Sequence, residues 1–180
     1  VTAQAPVAGD ELDGTTGRQM PGEGPFATGR VAQINRSAGG VPKRPVAQAR
    51  VNMAGLEGDA HRDTAHHGGE ERALCLYSLE RIWALPREGH PIFPGAVGEN
   101  LTLAGLPGET VVPGVRLVIG NKELLEVTRY TTPCPTIAPY LAGGAIARIA
   151  HTHHPGWARL YARVLHPGWV RAGHSVTLLG

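Results

Sequence analysis

Glycine (25 residues) and proline (15) interrupt this 180-residue chain so often that long regular elements have little room. Their combined share is nearly twice the usual ~12%. Each internal glycine weakens a helix, and each proline removes a backbone donor. A helical bundle is therefore disfavoured. A coiled coil would need far more Glu, Lys and Leu. Hydrophobic residues make up 42% and the formal net charge is +2, which argues against whole-chain disorder. The expectation is one compact, loop-rich, mostly β domain.

Length agrees with one domain. About 150 structured residues bury roughly two-thirds of the surface of the unfolded chain, so a core needs no disulfides. The two cysteines then need another account. Cys75 sits in the apolar run Ala73–Tyr77, which reads as a buried strand where a free thiol acts as a small hydrophobe. Cys134 lies between Pro133 and Pro135 in a polar stretch. Few cysteines without a staple pattern suit a reducing cytoplasm. No apolar signal core and no run near ~18 apolar residues is seen, so a soluble cytoplasmic protein is expected. Arg30, Arg36, Lys43, Arg44 and Arg50 gather early. They read either as a solvated basic face or as an anion site for a small phosphorylated ligand. The near-neutral balance gives no reason to expect nucleic acid.

Residues 1–25 lack apolar periodicity and read as a flexible tail, leaving 26–180 as the domain. Strand patterns cover 29–35, 46–53, 73–77, 100–103, 116–119, 123–128, 157–165 and 175–179. Gly120-Asn121-Lys122 reads as a hairpin turn. In 157–165, Ala158, Leu160, Ala162 and Val164 share one face, and Trp157, Arg159, Tyr161, Arg163 and Leu165 share the other. Ser78 is placed to cap a helix over Leu79–Leu85, ended by Pro86. Further short helices are expected after Pro135 and over Ala145–Ala150. About eight short strands suggest a closed or nearly closed β-barrel.

Four constellations could carry chemistry. Gly58-Asp59-Ala60-His61-Arg62-Asp63 precedes His66-His67-Gly68-Gly69. Metal binding, ligand hydrogen bonding and a structural polar loop all remain open. The spacing matches no helical His-Glu-x-x-His pattern, and adjacent histidines point to opposite faces of an extended segment. Gly68 and Gly69 would allow close backbone approach to a ligand. Pro94-Gly95-Ala96-Val97-Gly98-Glu99-Asn100 is a tight turn in which Asn100 either reads a ligand edge or serves the loop. In Arg129-Tyr130-Thr131-Thr132-Pro133-Cys134-Pro135 the prolines present the thiol at a loop. A helix starting there would favour thiolate, and Arg129 could add positive charge. His151-Thr152-His153-His154 lacks partners at zinc-finger spacing, so no zinc site is expected.

In series, these motifs resemble the MOSC family, named for the C-terminal domain of molybdenum cofactor sulfurase. The resemblance rests on Gly39-Gly40-Val41-Pro42-Lys43, Gly55-Leu56-Glu57-Gly58-Asp59, His66-His67-Gly68-Gly69 and Arg72-Ala73. It continues through Pro94–Thr102, Thr128, Pro133-Cys134 and Tyr161–Leu165, within about residues 27–179. It implies a β-barrel-like MOSC fold with few helices. It implies Cys134 as the functional thiol, either persulfide bearer or molybdenum ligand, in a molybdenum-cofactor-dependent oxidoreductase or sulfur transferase. Reduction of N-hydroxylated compounds is one implied activity. A non-catalytic delivery module and a His/Asp metal-dependent hydrolase are the alternatives. Pyridoxal phosphate is associated only at family level, since this chain shows no desulfurase domain. His66 and His67 are assigned to ligand contact and proton transfer. Lys43, Arg44 and Arg129 are assigned to the cofactor phosphate, Asn100 to a polar edge, and Asp59, Gly68, Gly69 and Glu99 to the surrounding cofactor site. An external sulfur donor or redox partner is implied. No membrane contact is expected, and the chain is expected to be a monomer or small homo-oligomer. Gly114-Val115 and Gly173-His174 stand where the family often has Gly-Asp, which should alter turns rather than chemistry.

Overall fold

The computed structural model describes residues 27–60 and 69–179. Eleven strands and one α-helix lie among them. The strands are β1 (Ala27–Arg36), β2 (Arg44–Val46), β3 (Gln48–Asn52), β4 (Gly55–Leu56), β5 (Leu74–Ser78), β6 (Leu101–Ala104), β7 (Arg116–Ile119), β8 (Glu123–Tyr130), β9 (Leu160–His166), β10 (Gly168–Arg171) and β11 (Ser175–Leu179). The helix α1 spans Leu79–Ala84.

Seven strands close into a barrel in the order β11-β7-β8-β9-β5-β6-β1, and β1 pairs with β11 to complete the ring. Closure removes the unpaired edges that an open sheet would expose. Only the β5–β6 pair is parallel among these neighbours. β2 extends from β1, and β10, β3 and β4 form a small second sheet. Period-two patterning is what fills the barrel. Leu160, Ala162 and Val164 of β9 are buried, while the alternate Tyr161, Arg163 and Leu165 are not fully covered. Val31, Ile34, Leu74, Leu76, Leu101, Leu117, Ile119 and Leu125 meet them in the core. Burying each such side chain contributes about 1.5–3 kcal/mol relative to leaving it in water. A second apolar cluster joins Tyr77, Ile82, Leu85, Ile92, Val97, Ile137, Leu141 and Ile149 on one side of the barrel.

The expected hairpin at 120–122 joins β7 and β8. The cap at Ser78 is also present, its hydroxyl accepting from the Arg81 N–H at 3.2 Å. One expectation needs correction. Pro86 does not end the helical stretch: Leu85–Glu88 continues as a 3-10 turn with Pro86 in its first turn, where a missing N–H costs nothing. The short helices expected after Pro135 and within 145–150 are present, both of 3-10 geometry, as Pro135–Tyr140 and Ile146–Ile149. Pro139 inside the first removes a donor that an α-helix would need. No helix among the described residues is long and apolar enough to cross a membrane.

Candidate functional site

One cavity of about 820 Å³ opens beside the barrel. Its walls come from the Gly40–Lys43 turn, the start of β5, the Val97–Asn100 turn, the end of β8 with the Thr132–Tyr140 stretch, and Arg159 and Tyr161 leading into β9. The size suits a cofactor or small-molecule ligand. Strand register brings these segments together. Cys75 pairs with Tyr161, and Tyr161 pairs with Arg129, so β5, β9 and β8 present one row of residues.

Among the described residues, four cationic side chains line the cavity: Lys43, Arg72, Arg129 and Arg159. Lys43 is buried and forms a short ion pair with Asp59, whose side chain is also buried. Asp59 further accepts from the Ser37 N–H at 2.9 Å and from Asn100 Nδ2 at 2.8 Å. Arg159 is buried, and its Nη1 donates to the Val97 carbonyl. Its Nε has no hydrogen-bond partner among the described residues. Arg129 is exposed.

Asn100 lines the cavity, but much of its side chain is already engaged. Its Oδ1 accepts from the Cys75 N–H at 3.0 Å, and its Nδ2 donates to Asp59. Its backbone N–H donates to the Cys75 carbonyl at 2.7 Å. Asn100 thus ties the floor of the cavity to the Lys43–Asp59 pair. Glu99 points away into the interior, fully buried and absent from the cavity lining. Its Oε1 accepts from the Gly95 N–H at 2.5 Å and the Thr102 hydroxyl at 3.2 Å. Burial pushes its carboxyl up, against the lowering influence of the Gly95 N–H and Arg159.

Cys134 lines the cavity and is partly exposed, at the start of the Pro135–Tyr140 turn. The short helix expected there is six residues of 3-10 geometry, too short to supply a developed dipole. Cys75 lines the same cavity from its buried strand. Burial pushes the Cys75 thiol up, and the neighbouring Arg159 partly offsets this.

Lys43, Asn100, Arg129 and Cys134 therefore meet in one place, with Asp59 directly behind Lys43. Arg44 is exposed on β2, and Gly69 is exposed before the Glu70–Arg72 turn; neither lines the cavity. His66, His67 and Gly68 lie outside the described residues, as does the rest of the His61–His67 cluster. Ala60 and Arg72, on either side of that stretch, both line the cavity. Among the described residues, no three His, Cys, Asp or Glu side chains gather as a metal site. Of the second His-rich stretch, His151 stacks on Tyr130, a cavity residue, with ring centroids 3.5 Å apart. His153 and His154 are exposed.

The sequence reading did not assign Arg72, Cys75, Arg159 or Tyr161 to the site. Arg159 carried a usable signal: it shares a strand face with Tyr161, opposite the apolar face. Those two residues of the face line the cavity here.

A family model described as MOSC domain matches residues 63–177. An uncharacterized protein, YflK, of Bacillus subtilis (strain 168) is 32% identical over 145 residues, covering 78% of this chain and 63% of that protein. A protein named "Reductase" from Gibberella moniliformis (strain M3125 / FGSC 7600) is 32% identical over 133 residues, covering 71% of this chain and 23% of that protein. The chain thus spans less than two thirds of the length of these curated relatives. The crystal structure of YiiM from Geobacillus stearothermophilus superposes with a TM-score of 0.67 at 28% identity, over 84% of this chain and 75% of that one.

Proposed function

Because the chain belongs to the MOSC family, we propose that its cavity binds the molybdenum cofactor and that Cys134 is the protein's thiolate ligand to the metal. The observation that carries this reading is the meeting, among the described residues, of one partly exposed thiol with four cationic side chains in a single cavity. The donor set fits the group. A thiolate is a soft ligand of the kind such metal centres take. The unpartnered Nε of Arg159 is a buried donor available to an anion, and the volume suits a pterin-sized ligand. A sulfur carrier acting through a persulfide alone has no need of a cavity this large or this cationic.

When bound, the cofactor supplies two-electron redox chemistry at its metal. The rest falls to the chain. Arg159 and Lys43 neutralise the anionic part of the ligand from the buried side, and Arg72 and Arg129 do so from the outer side. Val41, Val97, Ile137, Pro139 and Tyr140 also line the cavity and would shield a bound ligand from water. Asn100 and Asp59 hold Lys43 in place. His66 and His67 are the proposed proton carriers, since imidazole titrates near neutrality. A reductase-named relative supports an oxidoreductase role, and N-hydroxylated compounds are the substrates proposed from the family resemblance.

The test is turnover. Protein from cofactor-producing cells, given a chemical reductant, should reduce an N-hydroxylated base, and Cys134→Ala should abolish the activity. Activity retained in Cys134→Ala would refute the role of that thiol. Sulfane sulfur on Cys134 without molybdenum would establish the carrier reading instead.

A further inference from the structure

Glu99 is buried, lies outside the cavity lining, and has one carboxylate oxygen, Oε2, without a partner among the described residues. A buried carboxyl is costly unless its bonds secure something. What its other oxygen secures is the Pro94–Gly98 loop. Oε1 accepts from the Gly95 N–H at 2.5 Å and from Thr102 Oγ1 at 3.2 Å. Thr102 in turn accepts from Asn35 Nδ2 at 3.1 Å.

Two cavity cations depend on that loop. The Gly95 carbonyl accepts from the Lys43 backbone N–H at 2.9 Å, which sets where Lys43 leaves the chain. The Val97 carbonyl accepts from Arg159 Nη1. The loop can pack this closely because Gly95 has φ of 90° and no Cβ; a side chain there would strike the Lys43 carbonyl and the Asn35 amide.

We infer that Glu99 is a positioning residue: through the Gly95–Val97 loop it places Lys43 and Arg159 together as the cavity's buried anion-binding pair. The inference rests on the anion-binding reading of the cavity and adds to it the residue that makes the two cations act as a unit.

The test titrates the native chain and its variants with inorganic pyrophosphate by calorimetry. Glu99→Leu removes the acceptor and should weaken pyrophosphate binding roughly tenfold or more. Glu99→Gln keeps the acceptor and should restore native affinity within about twofold. A purely structural Glu99 would give a lower melting temperature in Glu99→Leu with unchanged affinity in the folded protein, and that result would overturn the inference. Should Glu99→Leu not fold, Glu99→Asp, which draws the acceptor back from Gly95, takes its place with the same expectations. Failure of the anion reading is seen separately, as no binding by the native chain and no change in Lys43→Ala. Hydrogen exchange at the Lys43 amide then decides the inference. Exchange accelerated in Glu99→Leu and normal in Glu99→Gln supports control of the loop by Glu99; unchanged exchange refutes it.

Discussion

Lys43 and Asp59 face each other with side chains only 6% and 2% exposed. Neither ion is hydrated in full, so each depends on the other. Removing one partner of a buried pair costs about 3–5 kcal/mol, because the remaining charge is left uncompensated. Asp59→Ala should therefore lower unfolding free energy by about that amount in urea melts. A loss below ~1 kcal/mol would place the pair in the exposed class instead. Glu99 makes a different prediction at the same scale. Burial raises its folded pKa above 4.5, so the native state holds the proton more tightly than the unfolded chain does. Its contribution to stability is full below pH 4.5 and is lost as pH rises toward the folded value. Glu99→Gln cannot ionise. Its stability relative to the native chain should rise as pH increases above 4.5, measured by denaturant melts across that range. A constant difference across pH would show that Glu99 titrates alike in both states.

At the scale of elements, the shortest ones carry much of the site. The Ser78 cap is a local device: its hydroxyl accepts the Arg81 N–H at the start of α1. Ser78→Ala should cost about 1 kcal/mol and lower the melting temperature by about 2–4 °C. No change would mean that tertiary packing alone holds the helix. Elements of this kind were legible in the sequence because their signals are local. The cap needs only Ser before Leu79, the β7–β8 hairpin needs Gly120, and β9 announces itself by alternation over Leu160–Val164. β4 is two residues long and β2 three, so neither can display a period. β10 holds a single buried residue, Val170, between exposed neighbours. The 3-10 turns resemble helices in sequence and differ in geometry, and Pro139 is what decides the Pro135–Tyr140 case.

At the scale of the molecule, closure of the barrel converts distant residues into one site. Cys134 was legible as a presented thiol from its flanking prolines, and Lys43, Asn100 and Arg129 from their motifs. Arg159 was legible only as sharing a non-apolar strand face with Tyr161; that the two line a cavity together with Val97 and the Thr132–Tyr140 stretch is decided by tertiary packing. Glu99, expected in the cofactor site from its motif, lies behind the cavity wall rather than in it. Closure itself is testable. The β1–β11 pairing completes the ring and buries Val176 and Leu178. Val176→Asp should abolish cooperative unfolding, followed by circular dichroism, because an unpaired charge would enter the core. Cooperative melting at the native temperature would show that the ring does not depend on β11. Cys134 is proposed to hold molybdenum in this cavity, and metal analysis of protein purified from cofactor-producing cells decides it: the native chain should carry stoichiometric molybdenum that Cys134→Ala loses, and molybdenum retained by Cys134→Ala would overturn the proposal.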